Sequence, residues 1–590
     1  MDLQSEQGGK GVFKARLAIG LVQGVLLYLQ ALADEHKVWT DPYSFLVVMY
    51  AALFLPLVAI AGLGTVRSRA LLTWIGGLAL VITAIALSAA YKYAPLFPGN
   101  EDQVIKIGFV LAVSLFIGHT LFVAAQQSGK TIASYDTYFD LAWKHGVQIA
   151  ASAAFAVSFW ALYFLGAALF KMLKIDLLHT LVANGRFIPV TAVLVATALH
   201  ITDVRPGIIT GIRTLALTLL SWLLPLMTGL IVLFIVTVPI AGFEMLWDTR
   251  MATVLLLLAV AALVVLINAV YQNGPAEHLP PKVLQIAGSV AAVALVPLAV
   301  VGAYALSLRV AQYGWTGDRI IAAAAVVIAL GYAGGYALAA VRRGPWLASL
   351  ERTNITMSAV VVLIAFLLHT PIADPDRISV NSQVARLKDG RTAPEKFDLA
   401  YLRFKSGRYG TNALEELKTD TALAAMHERI EAAIKSTIPD TIASGPLTAE
   451  MLAANIQVLT PGKTLPAGFV VQDGGKAQGA NLPECLLSSA RCQVMIVDLN
   501  HDGADEVVLF RVYESYVESG HVFQQVGGNW QHVAQLPGGK VCLQTLDAIR
   551  KGEAAVMTSA WDDLSIGGQR IDVNPDAGGC QSSEYASPVK

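Results

Sequence analysis

MATVLLLLAVAALVVLINAVY, residues 251–271, shows the sequence pattern from which the fold class of this chain follows. It carries no charged side chain, and as a helix it is long enough to cross the roughly 30 Å hydrocarbon core of a bilayer. Similar runs recur through the first 370 residues, so we predict an α-helical polytopic membrane protein. About eleven spans are expected, near residues 15–33, 43–65, 70–91, 104–126, 146–170, 187–202, 215–241, 251–271, 283–308, 319–340 and 354–370. The seventh contains Pro225 and is expected to be kinked and preceded by an interfacial helix.

The composition separates a membrane part from a soluble part. The chain is 55% hydrophobic and 14% charged, which is typical of multi-span membrane proteins rather than soluble enzymes. Its net charge of −1 is unevenly placed, because residues 371–590 hold 27 acidic and 20 basic side chains. We predict a multi-pass transmembrane domain (1–370), a helical juxtamembrane neck (371–437) and a soluble β-rich domain (438–590). Neither part has the clustered basic surface that nucleic-acid binding requires.

Basic residues in the short loops predict the orientation in the membrane, since Lys and Arg favour the cytoplasmic side. The apolar stretch at the N-terminus is followed by Asp34 and Glu35 instead of a small-residue cleavage site, so it is expected to be a first span. Lys171 and Lys174 are exceptions, placed outside by this count. An odd number of spans with a cytoplasmic N-terminus puts residues 371–590 on the outside of the cytoplasmic membrane. The basic residues used are Lys10, Lys14, Arg16, Arg67, Arg69, Lys130, Lys144, Arg342 and Arg343.

The cysteines point to the same compartment by a separate argument. Cys485, Cys492, Cys542 and Cys580 all lie in the soluble part, and disulfides persist in oxidising compartments. The short spacing favours a Cys485–Cys492 bridge, which leaves Cys542 with Cys580, although four cysteines permit three pairings. A zinc site is the weaker alternative, because no CxxC pair is present.

Polar side chains at membrane depth are costly and often functional. For His119 the hypotheses are a proton relay or a substrate contact, and the alternative is a histidine bonded to a backbone carbonyl between packed helices. His200, Asp203 and Arg205 lie at the end of a span, where a salt bridge between helix ends is favoured over a transport site. The remaining candidates are Arg213, Asn268 and Arg309.

The soluble part begins with a helical pattern and continues with short strands. Apolar residues recur at helical spacing between residues 378 and 436, with Gly390 and Gly410 expected as helix stops. The strand-like runs beyond them are separated by Gly, Asn and Asp, which predicts a small α+β domain with a mainly antiparallel sheet. These runs are GFVVQD (468–473), CQVMIVDL (492–499), EVVLFRVYESYV (506–517), HVFQQVGGNW (521–530) and HVAQL (532–536).

The segment DLNHDGADE, residues 498–506, is the compact metal-binding pattern of the chain. Alternating oxygen-bearing side chains on a tightly curved loop suit a hard cation, and a backbone carbonyl completes the set. A strand follows where an EF-hand would have a helix, so the loop resembles the calcium loops of FG-GAP-type repeats. The alternative is a hairpin whose Asx side chains cap their own backbone. The predicted Ca²⁺ ligands are Asp498, Asn500, Asp502, Ala504 and Glu506.

Four further stretches carry a family resemblance: HITDVRPG, LINAVYQNG, RVAQYGWTGDR and APEKFDLAYLRFKSGRYG. On these the chain resembles a bacterial family labelled domain of unknown function 4153, over most of the membrane part and the neck. The resemblance implies a multi-pass inner-membrane protein of a Gram-negative-type bacterium. It implies no catalytic residue and no substrate.

Three function classes follow from these observations. The leading hypothesis is a non-enzymatic envelope protein that uses a calcium- and disulfide-stabilised periplasmic domain in binding, sensing or assembly with an envelope partner. The second is a transporter or channel for a small solute or ion. The third is a membrane enzyme acting on lipid-linked groups; common hydrolase and phosphate-binding motifs are absent from the sequence. The acidic residues considered for this third class are Asp34, Glu35, Glu101, Asp102 and Glu244.

Overall fold

The computed structural model of the chain describes residues 2–94, 101–182, 185–242, 251–274, 279–436, 456–466, 468–469, 492–512, 517–536, 543–557, 564–566 and 569–571. The chain divides into two compact units. The first comprises residues 1–393 and 406–410, and the second comprises residues 394–405 and 411–590. The neck predicted at 371–437 is therefore shared between the two units.

Long helices make up the first unit, and the predicted membrane fold is confirmed. Eleven of its described helices are long and apolar enough to cross a membrane, and each coincides with a predicted span. The helices are α1 (Asp2–Glu35), α2 (Pro42–Gly62), α3 (Ser68–Tyr93), α4 (Glu101–Ser128), α5 (Tyr135–Met172), α6 (Leu177–Val182), α7 (Phe187–Val204), α8 (Pro206–Ala241), α9 (Ala252–Tyr271), α10 (Lys282–Tyr313), α11 (Gly317–Val341), α12 (Leu350–Leu367) and α13 (Pro375–Lys388).

Two helix starts show how local sequence positions these elements. Asp41 precedes α2 and accepts hydrogen bonds from the backbone N–H groups of Tyr43 and Ser44, with Pro42 in the first helical turn. Pro206 opens α8 in the same way, and α8 continues through Pro225 as one helix. The interfacial helix expected before the seventh span is therefore the first part of α8.

Apolar packing in the first unit forms two main clusters. One joins α2, α3 and α4 around Tyr50, Ile82 and Ala86, and the other joins α8 to α11 around Leu263 and Leu295. Glycines allow close approach between α11 and α12, since a Cβ at Gly335 would collide with the Thr353 side chain. Because α8 to α11 share one core, side chains far apart in sequence meet at their ends.

Of the two glycines predicted to end helices, only Gly390 does so. Gly390, with φ +70°, follows α13 as expected, but Gly410 lies inside α14 (Gly407–Thr419), so the predicted stop there is wrong. The left-handed residue is Gly407 (φ +54°), where a Cβ would collide with the Lys92 carbonyl oxygen. A 3₁₀ segment (Thr421–Met426) and α15 (His427–Lys435) follow.

The described strands of the second unit form a five-stranded sheet in the order β1-β2-β3-β4-β5 and a separate two-stranded sheet of β6 and β7. The pairing of β1 with β2 is parallel and the other three pairings are antiparallel. Val508 and Phe510 of β3 pack with Leu546 and Ile549 of α16, which places α16 on one face of the sheet. The bounds are β1 (Ile456–Val458), β2 (Cys492–Val497), β3 (Glu506–Val512), β4 (Val517–Val526), β5 (Asn529–Leu536), α16 (Leu543–Arg550), β6 (Leu564–Ile566) and β7 (Gln569–Ile571). Of the strand predicted at 468–473, Gly468 and Phe469 lie in a turn and the rest falls outside the described residues.

Candidate functional site

Asp203, at the end of α7, lies between two basic side chains. Its Oδ2 is 2.8 Å from Nη2 of Arg16, and its Oδ1 is 2.7 Å from Nζ of Lys144. Arg16 is 2% exposed, and its Nη2 also donates to the carbonyl oxygen of Leu63. His200 contacts Arg16 through Nδ1 at 3.5 Å. These contacts connect α1 and α5 to the ends of α2 and α7.

The partners of Asp203 differ from those that proximity in sequence suggests. Arg205 is exposed at the break between α7 and α8, whereas Arg16 and Lys144 come from distant helices. In the sequence, Arg16 and Lys144 indicate only membrane orientation, because no local signal shows that they share a carboxylate. The geometry is that of a salt bridge between packed helices, in which Arg205 takes no part.

His119 lies inside the bundle beside a second histidine that the sequence analysis did not identify. The rings of His119 (α4) and His145 (α5) have centroids 5.5 Å apart, and their exposed fractions are 6% and 9%. Thr120 Oγ1 donates to the Phe116 carbonyl oxygen and lies 3.0 Å from His145 Nδ1. Neither ring nitrogen of His119 has a hydrogen-bond partner among the described residues.

Asn268 belongs to a buried polar network of four side chains. Its Nδ2 donates to Tyr336 Oη at 2.7 Å, and its Oδ1 accepts from Asn354 Nδ2 at 2.7 Å and from Tyr135 Oη at 3.1 Å. Tyr336 Oη in turn donates to Asn354 Oδ1 at 2.7 Å. Mutual satisfaction of this kind holds helices together where water is excluded. The network therefore accounts for Asn268 as a packing residue.

Arg213 lines a cavity where α8, α9 and α10 meet. Its Nη2 is 2.7 Å from Oδ1 of Asp140 and 2.9 Å from Oδ1 of Asn273. The cavity has a volume of about 570 Å³, within the range of small-molecule sites. Arg309 is half-buried near the other end of α10 and takes no part in the cavity. The remaining residues that line the cavity include Ser221, Trp222, Tyr271, Leu284 and Trp346.

The end of α3 and the start of α13 share a buried charge cluster that sequence analysis missed. Lys92 Nζ lies 3.1 Å from carboxylate oxygens of both Asp374 and Asp376. Tyr93 Oη donates to Asp376 Oδ2 at 2.6 Å, and Asp374 also caps the first turn of α13. Farther along α13, Arg386 donates to the carbonyl oxygen of Gln312 at 2.6 Å. These contacts make α13 part of the membrane unit.

The loop between β2 and β3 contains all five predicted calcium ligands. Asp498 Oδ2 accepts from the Gly503 N–H, Asn500 Oδ1 accepts from the Asp502 N–H, and Asp502 Oδ1 accepts from the Ala504 N–H. The Ala504 hydrogen bond is the main cause that lowers the pKa of Asp502 below its ordinary value. Gly503 has φ +86°, which this turn requires.

Two carboxylate oxygens at the base of this loop remain without hydrogen bonds. Glu506 is 3% exposed; its Oε2 accepts from the Leu499 N–H at 2.7 Å, but Oε1 is buried without a partner among the described residues. Oδ1 of Asp498 is likewise buried without a hydrogen-bond partner among the described residues. Within the described part of the chain, no three His, Cys, Asp or Glu side chains are gathered closely enough to hold a metal by themselves. A cation here would also need oxygens from Asn500 and Ala504.

Cys492 is the only cysteine among the described residues. It begins β2, is 1% exposed and is not a free thiol. The predicted bridge to Cys485 and the pair Cys542 with Cys580 involve cysteines outside the described residues.

One comparison with known proteins gives a match. The sequence model of a family described as "Domain of unknown function (DUF4153)" matches residues 17–417. No curated protein and no solved structure gives a significant match to the chain. The matched range covers the membrane helices, the Lys92 charge cluster, the α8–α10 cavity and the start of α14.

Proposed function

The chain belongs to the DUF4153 family, and on that premise we propose that it is a non-enzymatic protein of the bacterial envelope, with a membrane bundle that carries a calcium-binding periplasmic domain. This domain binds, senses or assembles with an envelope partner. The proposed ion is structural Ca²⁺, held by the loop of residues 498–506.

The two unpartnered carboxylate oxygens carry the calcium proposal. A buried polar atom without a hydrogen bond costs about 1–3 kcal/mol, and more when charged, so an ion is a direct explanation for such an atom. Asp498 Oδ1 and Glu506 Oε1 are buried side-chain oxygens of this loop that have no hydrogen-bond partner among the described residues. Asp498 and Glu506 are the first and ninth residues of the loop. Together with Asn500, Asp502 and the Ala504 carbonyl, they supply the all-oxygen ligand set that Ca²⁺ prefers.

Calorimetric titration of the full-length protein in detergent tests this proposal. We expect one Ca²⁺ site, with affinity at least a hundredfold lower in the double variant Asp498→Asn with Glu506→Gln, since two charged ligands are lost. Asp505→Asn is the matched control, because it removes a neighbouring charge that pairs with Lys463. Equal calcium binding by the wild type and the double variant would refute the calcium site.

The periplasmic location rests on three supports. The loop charges predict a cytoplasmic N-terminus. The described residues contain eleven helices of spanning length, an odd number that puts the second unit on the other side of the membrane. Cys492 is a buried cysteine that is not free. Deletion of residues 411–590 tests the binding role: loss of partners captured from intact membranes is expected. Unchanged capture after deletion would contradict that role.

The second candidate, a transporter for a small solute or ion, is favoured by His119. Its ring nitrogens have no hydrogen-bond partner among the described residues, and His145 lies beside it, an arrangement suited to exchanging a proton or contacting a polar solute. Flux into proteoliposomes should fall in His119→Gln but not in His36→Gln, which changes an exposed histidine after α1. Equal flux in both variants would remove this support.

A further inference from the structure

From the α8–α10 cavity we infer a binding site for one anionic phospholipid, with its head group at Arg213 and its chains beside Trp222. This site goes beyond the proposed function and does not depend on the calcium loop. The first step of the argument is volume: about 570 Å³ is room for a lipid head group and the start of its chains.

The polar end of the cavity contains the hydrogen-bond donors of Arg213. The Nη2 atom of Arg213 is occupied by Asp140 and Asn273, and its other donor nitrogens have no hydrogen-bond partner among the described residues. Asp140 is 49% exposed, so its pairing with Arg213 is weakened by water and is open to competition from an incoming anion. A guanidinium with free donors suits the oxygens of a phosphodiester.

Basic residues that neighbour the lining residues in sequence also favour an anion. Lys282 directly follows the lining residue Pro281, and Arg342 and Arg343 shortly precede the lining residue Trp346; all three basic side chains are exposed. Among the acidic residues nearby, Glu351 accepts a hydrogen bond from Tyr271 Oη. Basic pockets between membrane helices are recognised sites for anionic lipid head groups.

The apolar end of the cavity continues into a surface of α8 made of exposed apolar side chains. Trp222 lines the cavity and is 57% exposed, and Leu219 and Leu226 on the same helix are 61% and 63% exposed. Exposed apolar side chains along a membrane span contact hydrocarbon. Arg213 and Trp222 are separated by about 13 Å along the helix, roughly the distance from a phosphate to the upper part of an acyl chain. A soluble anion would use only the polar end, so the combination favours a lipid.

Native mass spectrometry of the full-length protein, titrated with phosphatidylglycerol or phosphatidylcholine, tests this site. We expect one phosphatidylglycerol to bind at least tenfold more tightly than phosphatidylcholine, and Arg213→Gln to remove that preference. Arg69→Gln, an exposed arginine at the start of α3, is the charge-matched control and should leave the preference intact. Equal effects of the two variants would show only general attraction of lipid and would overturn the proposal.

Two further arms separate the sources of the anion and guard against misfolding. Millimolar inorganic phosphate should not displace the lipid; displacement would identify a site for soluble phosphate compounds and overturn the lipid assignment. If Arg213→Gln fails to fold, Trp222→Ala takes its place, with an expected severalfold weaker binding of long-chain phosphatidylglycerol and unchanged binding of a short-chain form. Unchanged binding of both forms would overturn the proposal.

Discussion

Lys92 Nζ lies 3.1 Å from Oδ2 of Asp374, although 282 residues separate them in the chain. Their side chains are 10% and 4% exposed, and a second carboxylate, Asp376, contacts the same nitrogen at 3.1 Å. The cluster joins the end of the third membrane helix to the helix that follows the last one. Since Asp374 also caps α13, Lys92 contacts the residue at which α13 begins.

Asp374→Asn should destabilise the protein by about 3 kcal/mol, because it weakens a buried ion pair while leaving an oxygen to cap α13. The thermal midpoint of the detergent-purified protein measures this effect. Asp318→Asn is the control, since Asp318 pairs with Lys106 on the surface with 84% of its side chain exposed, and a change below about 0.5 kcal/mol is expected. Similar midpoints for both variants would contradict the importance of the buried cluster.

Asn268→Leu should lower stability by about 1–3 kcal/mol, because Tyr336 Oη and Asn354 lose a partner away from water. Asn354→Leu should have a similar effect. Since both changes break one network, the double variant should lose less than the sum of the two. Additive losses, measured as thermal or denaturant midpoints, would mean that these side chains act independently.

Gly503→Ala should weaken calcium binding severalfold, because alanine is strained at φ +86°, so the free loop relaxes to another conformation and binding must restore the ligand-presenting turn at a cost of about 1 kcal/mol. Calorimetry with Ca²⁺ measures the change. Gly76→Ala is the control: a Cβ there meets nothing within 4 Å in the middle of α3. That variant should keep the affinity and lose no stability.

All four cysteines should be protected in the native protein. Alkylation before reduction is expected to add no mass, and alkylation after reduction and unfolding should add four equivalents, since Cys492 is already not free. Peptide mapping without reduction then distinguishes a Cys485–Cys492 bridge from the two other pairings. One or more thiols labelled in the folded, unreduced protein would contradict the two predicted bridges.

The orientation can be tested with two engineered thiols. Lys37→Cys, after α1, should react with a membrane-impermeant maleimide in cells whose outer membrane is permeabilised. Arg67→Cys, before α3, should react only after the inner membrane is opened. The reverse labelling pattern would place the soluble unit in the cytoplasm.

The membrane helices could be predicted because their signal is local. A run of apolar residues long enough to cross a bilayer must form its hydrogen bonds within itself, so length and hydropathy alone locate each helix. The break at Gly407 could not be predicted in this way, since its cause is the carbonyl of Lys92 in a helix far away in sequence. Gly410 carries the same local signal and lies within a helix.

The same distinction applies to the candidate sites: those formed by neighbours in the chain could be predicted, and those formed by residues far apart in the chain could not. The loop of residues 498–506 was recognisable because its oxygen-bearing side chains are neighbours in the chain, whereas His145 became notable only through its position beside His119. The spans, the charge-rich C-terminal region and the calcium-like loop could be predicted from the sequence alone, because each depends on residues that are neighbours in the chain. The contacts of Asp203 with Arg16 and Lys144 depend on the tertiary structure. The same holds for the hydrogen-bond network of Asn268 and for the place of Arg213 in the lining of the cavity. Such partners come from different helices, and packing alone determines which helices meet.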